Sequence, residues 1–274
     1  MTALKSQLQA LLASFLLFAA AASSFGGEEW ESTVTPFKPG SFPELRPVRV
    51  SYGFGWNGFT AGKAEVHLAK LPNGRFQFEM TGGTIGMARS LWEYDIHHTA
   101  LSDAVTLRPI LVREVETVRA SKMTNDLTFT PEGVTSVREE REDSSVKSKT
   151  RRFHFPNVLS LNSALLYLRT QPLPDGAVQR TVVYPATSAY LCSTTVQGRD
   201  RITVPTGTYQ AIKVDVQLKK IGKKRRLQPH KKFRKATVWL SDDADRLILR
   251  IEAQIFVGKV FAELQSVQFE DPKP

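Results

Sequence analysis

Residues 157–171, NVLSLNSALLYLRTQ, constrain the fold more than any other stretch of this chain. Leu161, Ala164, Leu165 and Leu168 recur at i, i+3, i+4 and i+7, which predicts one apolar stripe on a helix. Ser160 or Asn162 can cap its start by accepting a backbone N–H. Pro172 and the Pro-Asp-Gly turn at 174–176 stop it. On both sides the chain reads as β-hairpins. A lone amphipathic helix between two β halves has to bury its stripe against a sheet. The expected fold is therefore mainly β: a single curved antiparallel sheet, half-barrel or barrel-like, with one central amphipathic helix.

Residues 1–24 have the pattern of a cleaved secretory signal. Lys5 supplies a positive start, residues 8–22 are apolar apart from Gln9 and Ser14, and Ala22 and Ser24 sit where small residues are needed for cleavage. The apolar run is short for a membrane span, and no later stretch reaches 18 apolar residues. No cysteine lies near the end of the run, so no lipid attachment is expected there. The reading is a periplasmic or otherwise exported protein with no transmembrane segment after cleavage. Residues 25–46, with Pro36, Pro39 and Pro43, read as an extended arm. Residues 47–270 form the β-rich domain, with two β halves around the helix. Cys192 is the only cysteine, so no internal disulfide can form, and burial is its expected state.

The strand signals are regular. Val48, Val50, Tyr52 and Phe54 alternate with Arg49, Ser51 and Gly53. A turn at 55–58 leads to a return strand with Ala64, Val66 and Leu68 on one face, and Phe76, Phe78 and Met80 follow on the next. Residues 82–87 read as a loose glycine-rich connection. Strands are expected at 92–101, 107–119, 123–130, 134–143 and 146–155, with many charges on a solvated outer face. After the helix, strands follow at 178–184, 194–204, 209–220, 236–240, 247–256 and 260–269.

Four segments in order resemble an exported bacterial family, domain of unknown function 3108. They are VSYGFGWNGFTAGKAEV (50–66), SALLYLRTQPLPDG (163–176), RITVPTGTYQAIKVDV (201–216) and ATVWLSDDADRLILRIEAQIFVGKVFAEL (236–264). The resemblance implies a strongly curved antiparallel sheet and a cell-envelope location. It carries no catalytic residue.

No nucleotide-binding or hydrolase motif occurs, which leads to the expectation of a non-enzymatic protein with no cofactor and no metal. His97 and His98 point to opposite faces of a strand. Glu93, Asp95 and His97 share one face, but their spacing along a strand spreads them over about 14 Å, too far for one ion. Asp242, Asp243 and Asp245 cluster in a predicted turn, where such residues shape the backbone.

Formal net charge is +10, and much of it lies in residues 219–235, KKIGKKRRLQPHKKFRK. Lys219, Lys220, Lys223, Lys224, Arg225, Arg226, Lys231, Lys232, Arg234 and Lys235 are expected on a long projecting hairpin tip. Such a tip suits an anionic membrane surface or envelope polymer. Nucleic acid is an unsuitable partner, because the segment lacks interleaved aromatics. Tyr52, Phe54, Phe76 and Phe78 line the expected inner face. The leading functional expectation is an envelope protein that binds a lipid or other amphiphile. The alternative is a scaffold that uses the basic tip.

Overall fold

The computed structural model describes residues 30–40, 45–142, 145–229, 233–255 and 258–270. Residues 1–24, read above as a secretory signal, lie outside them. Fifteen strands among the described residues form one antiparallel sheet. The first half contains β1 (Val48–Trp56), β2 (Phe59–Leu71), β3 (Arg75–Thr84), β4 (Tyr94–Asp103), β5 (Pro109–Val118), β6 (Ser121–Thr130), β7 (Gly133–Glu142) and β8 (Ser145–His154). The second contains β9 (Val178–Val183), β10 (Tyr190–Val204), β11 (Gly207–Ile221), β12 (Leu227–Pro229), β13 (Phe233–Ser241), β14 (Ile248–Ile255) and β15 (Gly258–Phe269). The order is β8-β7-β6-β5-β4-β3-β2-β1-β15-β14-β13-β11-β10-β9, with β12 paired to β11 alone. The first strand pairs with the last, so the two halves join along β1 and β15 into the single sheet expected.

Local chemistry accounts for the hairpins. Asn57 and Gly58 both take positive φ and connect the paired Trp56 and Phe59, the two-residue turn whose twist matches the strands. Gly62 faces the Phe54 ring so closely that a side chain there would overlap it.

Two α-helices occur among the described residues: α1 (Gly86–Leu91) and α2 (Leu161–Thr170). The first lies where a loose connection is expected from Gly82 and Gly83. The second is the organising helix, and the Ser160 hydroxyl caps it by accepting from Ser163 N at 3.1 Å. Its buried set differs from the predicted stripe. Leu161 is 47% exposed, whereas Asn162, Ser163, Leu166, Tyr167, Leu168, Arg169 and Thr170 are buried. The helix is enclosed on more than one side, so one stripe cannot describe its burial. Leu166 packs with Val48, Val50, Leu68, Phe76 and Leu264. Leu168 packs with Val196, Ile212, Val214 and Leu240. On the far side, Tyr167 stacks on Phe37 of the N-terminal arm, centroids 4.8 Å apart.

The sheet is unclosed, yet its edges meet. Leu159, just beyond β8, bridges to Val183 at the end of β9. Tyr184 stacks on Phe153 of β8, and its hydroxyl lies 3.2 Å from Ser136 Oγ of β7. The arm is built into this seam. Trp30 is buried and stacks on Phe155, while Thr35 exchanges two hydrogen bonds with Arg180 of β9. Pairing with the arm covers part of an edge strand that would otherwise offer unpaired backbone groups.

Candidate functional site

The helix-bearing face of β4 carries Tyr94, Ile96, His98, Ala100 and Ser102. Register extends the same face across the neighbouring strands. His98 pairs with Glu114, Glu114 with Asn125 and Asn125 with Arg138. One step along, Ile96 pairs with Glu116, Glu116 with Met123 and Met123 with Glu140. The concave wall over β4–β7 is therefore polar beside the helix, not lined by apolar residues alone.

His98 ties this wall to the helix. Its Nδ1 lies 3.1 Å from Glu114 Oε2 and its Nε2 lies 2.9 Å from Asn162 Oδ1. Both ring nitrogens are thereby held, one by β5 and one by the helix. Phe78 meets the ring edge-on at 5.8 Å. Asn125 is 2% exposed, and its Nδ2 donates to Glu114 Oε1 at 3.4 Å. Its Oδ1 has no hydrogen-bond partner among the described residues. The Tyr94 hydroxyl donates to Glu116 Oε1 at 2.9 Å, and the Tyr94 ring stacks on Trp92 at 4.9 Å. Trp92 Nε1 is a second buried atom without a partner among the described residues.

Burial raises the Glu116 carboxyl above its ordinary value, and Glu114 beside it adds to the rise. Burial, followed by the charge of Glu116, holds the Tyr94 phenol protonated. Arg138 is engaged elsewhere, with Nε donating to Glu140 Oε1 at 2.7 Å. Around these groups Met80, Ile96 and Met123 are only partly buried. This part of the wall is thus amphipathic, with two carboxyls among partly buried apolar side chains.

Of these residues, sequence reasoning singled out His98, placed Phe78 on the inner face and offered Asn162 as a helix cap, but gave no role to Tyr94, Glu114, Glu116 or Asn125. The charged strands β5–β7 were expected to present charge only to solvent, but Glu114, Glu116 and Arg138 face inward. His97 is exposed on the opposite face, as strand alternation requires. Glu93 and Asp95 both pair with Arg89 of α1, at 3.2 and 2.8 Å, and the Asp95 carboxyl is held below its usual range by that bond. Asp243 Oδ1 accepts from Ser241 Oγ and from the backbone N of Asp245 and Arg246, which is turn chemistry. Asp242 and Asp245 pair with Arg199 and Arg46.

The basic segment is not a freely projecting tip over its first half. β12 folds back on β11, and Ile221 and Leu227 join the cluster around Trp30 and Phe155. Apolar Ile221 and Leu227, set among the lysines, supply the reason. Arg225 is used internally: it pairs with Glu31 at 2.7 Å, donates to His154 O, and its own carbonyl accepts from Trp30 Nε1. Lys235 pairs with Asp215 at 2.5 Å. Lys219, Lys223, Lys224 and Arg226 are exposed, and Lys220 is half-buried. Lys231, Lys232 and the side chain of Arg234 lie outside the described residues.

Two open clefts lie away from the concave wall. One of about 570 Å³ is lined by Gly86, Arg89, Ser90, Glu93 and Arg119. The other, about 410 Å³ on the convex face, includes Lys213, Asp215, Lys235, Trp239 and Glu252. Both are polar, unlike the apolar cavity that a lipid carrier requires. No helix among the described residues is long and apolar enough to cross a membrane.

Comparison with curated proteins gives no match. Among solved structures, the chain resembles a β-barrel-like protein of domain of unknown function DUF1849 from Brucella abortus. That likeness has TM-score 0.58 and 11% identity, and covers 84% of this chain and 100% of the other. It supports the barrel-like fold and nothing more. A candidate lipoprotein from Parabacteroides distasonis matches at TM-score 0.33 and 8% identity, over 84% of this chain and 99% of that one. A candidate exported protein with a YmcC-like fold from Bacteroides fragilis matches at 0.31 and 8%, over 84% and 100%. Both superpose too loosely to bear on the fold. The family model for proteins of unknown function DUF3108 matches residues 48–265, which span β1 to β15, and the chain belongs to that family.

Proposed function

We propose that this chain is a non-enzymatic, exported protein of the cell envelope that binds an amphiphile on the amphipathic part of its concave wall. The carrying observation is the amphipathic patch in which partly buried Ile96 and Met123 flank Glu116, with Met80 beside His98 and Glu114 next to it. An apolar tail gains by covering the apolar side chains, at about 25 cal/mol per Å². A polar headgroup meets the carboxyls. Helix α2 is tied to the wall through His98–Asn162 and Ser102–Ser163, so the ligand lies beside the helix and does not displace it.

The non-enzymatic reading is supported by the use of His98. Both ring nitrogens are engaged, with Glu114 and Asn162, the arrangement of a tie between wall and helix. Export rests on the leader pattern of residues 1–24.

Native mass spectrometry of the mature protein, before and after organic extraction, tests the proposal. The expected result is a discrete amphiphile adduct that extraction removes and that Ile96→Glu and Met123→Glu abolish in a folded chain. An apo mass, together with no binding to any alkyl amphiphile offered, would overturn it.

A second reading is favoured by one observation. Lys219, Lys223, Lys224 and Arg226 are exposed and make no ion pair among the described residues. They suit docking on an anionic surface, each contributing about 1 kcal/mol close to an anionic membrane. Neutralising Lys223, Lys224 and Arg226 together should then weaken salt-sensitive binding to anionic vesicles. Unchanged binding would remove this reading without touching the first.

A further inference from the structure

We propose that the open edge of β8 is a docking site for an extended, acidic segment of another protein, which adds to the sheet as a further strand. The proposal does not rest on the amphiphile reading.

The two edges of the sheet differ. On β9, Arg180 exchanges hydrogen bonds with Thr35 of the arm. β8 pairs with β7 alone among the described residues. The seam covers only its end, where Phe153 stacks on Tyr184 and on Phe155. Before that point the six residues from Ser145 to Thr150 are all exposed. They make an open edge about 20 Å long.

Register shows which backbone groups this edge offers. Phe155 N donates to Glu132 O, and the pairing of β7 with β8 runs without a shift from Gly133 to Glu142. Alternation then gives the backbone of Lys147, Lys149 and Arg151 to the β7 ladder. Val146, Ser148 and Thr150 turn N–H and C=O to the open side, where an added strand can take them up. Side chains alternate as well, so Lys147 and Lys149 share one face with Phe153, and Val146, Ser148 and Thr150 share the other.

Charge decides which strand fits. β8 carries Lys147, Lys149, Arg151 and Arg152 and no carboxylate. Lys147 and Lys149 form no ion pair among the described residues. Glu140, opposite Lys147, is held by Arg138, and Arg138 itself stands opposite Lys149. Edge lysines discourage unwanted pairing. Here they disfavour a second copy of β8, whose cations would stand against their own kind. They favour a strand with carboxylates at every second position, which meet Lys147 and Lys149 about 5 Å across the ladder. Apolar residues at the alternate positions cover Val146, which is 55% exposed.

Fluorescence anisotropy on the mature full-length chain tests this with two labelled peptides of about ten residues. One alternates Glu with Val and Thr, and the other has Lys in place of Glu. The acidic peptide is expected to bind at least about tenfold more tightly than the basic one. In its presence the amides of Val146, Ser148 and Thr150 should exchange with solvent more slowly. Lys147→Glu together with Lys149→Glu should reverse the preference. Ser148→Pro removes one open-side N–H, keeps every charge and spares the β7 ladder, so it should weaken the acidic peptide about tenfold. Thermal unfolding checks that the variants are folded, and the exchange measurement needs no variant. Equal binding of the two peptides, binding of neither, or unchanged exchange at the three amides overturns the proposal. Binding of anionic vesicles that the double lysine variant abolishes, while neither peptide binds, would assign the cationic row to a lipid surface instead.

Discussion

The hydroxyls of Ser102 on β4 and Ser163 on α2 lie 2.8 Å apart, and neither side chain reaches solvent, at 2% and 0% exposure. They fasten the helix to the wall next to the His98–Asn162 bond. Replacing either serine by alanine leaves the other hydroxyl buried without this partner. Each single substitution should cost about 1–2 kcal/mol. The double alanine variant should cost less than the sum of the two, by about 1 kcal/mol, because no unpaired hydroxyl remains. Urea unfolding of the four proteins checks this. Strict additivity would mean that the two hydroxyls do not interact.

The N-terminal arm is part of the fold and not a tether. Trp30 is 6% exposed, stacks on Phe155 at 5.5 Å, and donates to Arg225 O at 2.7 Å. Trp30→Ala should therefore destabilise the whole domain by about 3–5 kcal/mol, as large core truncations do. A loss under about 1 kcal/mol, the range of surface changes, would show that the arm only rests on the seam.

Period-two alternation made most strands readable, because it follows from backbone geometry and needs no tertiary information. It also placed His97 and His98 on opposite faces. It did not say which face turns inward on β5, where Arg113, Glu114, Val115, Glu116 and Thr117 give no apolar side to choose. Tertiary register decides that, by setting Glu114 beside His98. The helix face was misread for a related reason. A single stripe assumes one packing surface, while α2 has the sheet on one side and Phe37 on another. In the basic segment the lysines hid Ile221 and Leu227, two anchors that fold β12 back.

Cys192 is 8% exposed, and burial pushes its thiol up to about 12. The thiolate is the reactive form. In the folded chain it should resist a thiol reagent at about pH 8, well below that value, and react within the dead time once denaturant unfolds the protein. The measurement is the rate of Ellman's reagent consumption with and without denaturant. Rapid reaction of the native protein would place the thiol at an accessible surface.

Glu116 gives a pH dependence with a definite sign. Burial first, and Glu114 second, raise its folded-state value above the ordinary 4.5, while the Tyr94 hydroxyl and Arg138 oppose the shift. The groups facing it are Tyr94 and His98 on β4, Glu114 on β5, and Arg138 and Glu140 on β7. The folded chain keeps this proton where the unfolded chain has released it. Its contribution to stability is complete below the ordinary value and disappears as pH rises through the raised one. Where the pH exceeds that raised value, the ionised Glu116 opposes folding. Glu116→Gln should be more stable than the parent at neutral pH, and the difference should shrink towards about pH 4. Asp95, Asp103 and Glu270 have lowered values and lose stabilising charge in acid, but both proteins share that loss and it cancels in the difference. Urea midpoints of the two proteins across this pH range give the test. A difference that stays constant with pH would mean that glutamine acts by packing and that Glu116 titrates alike in the folded and unfolded chains.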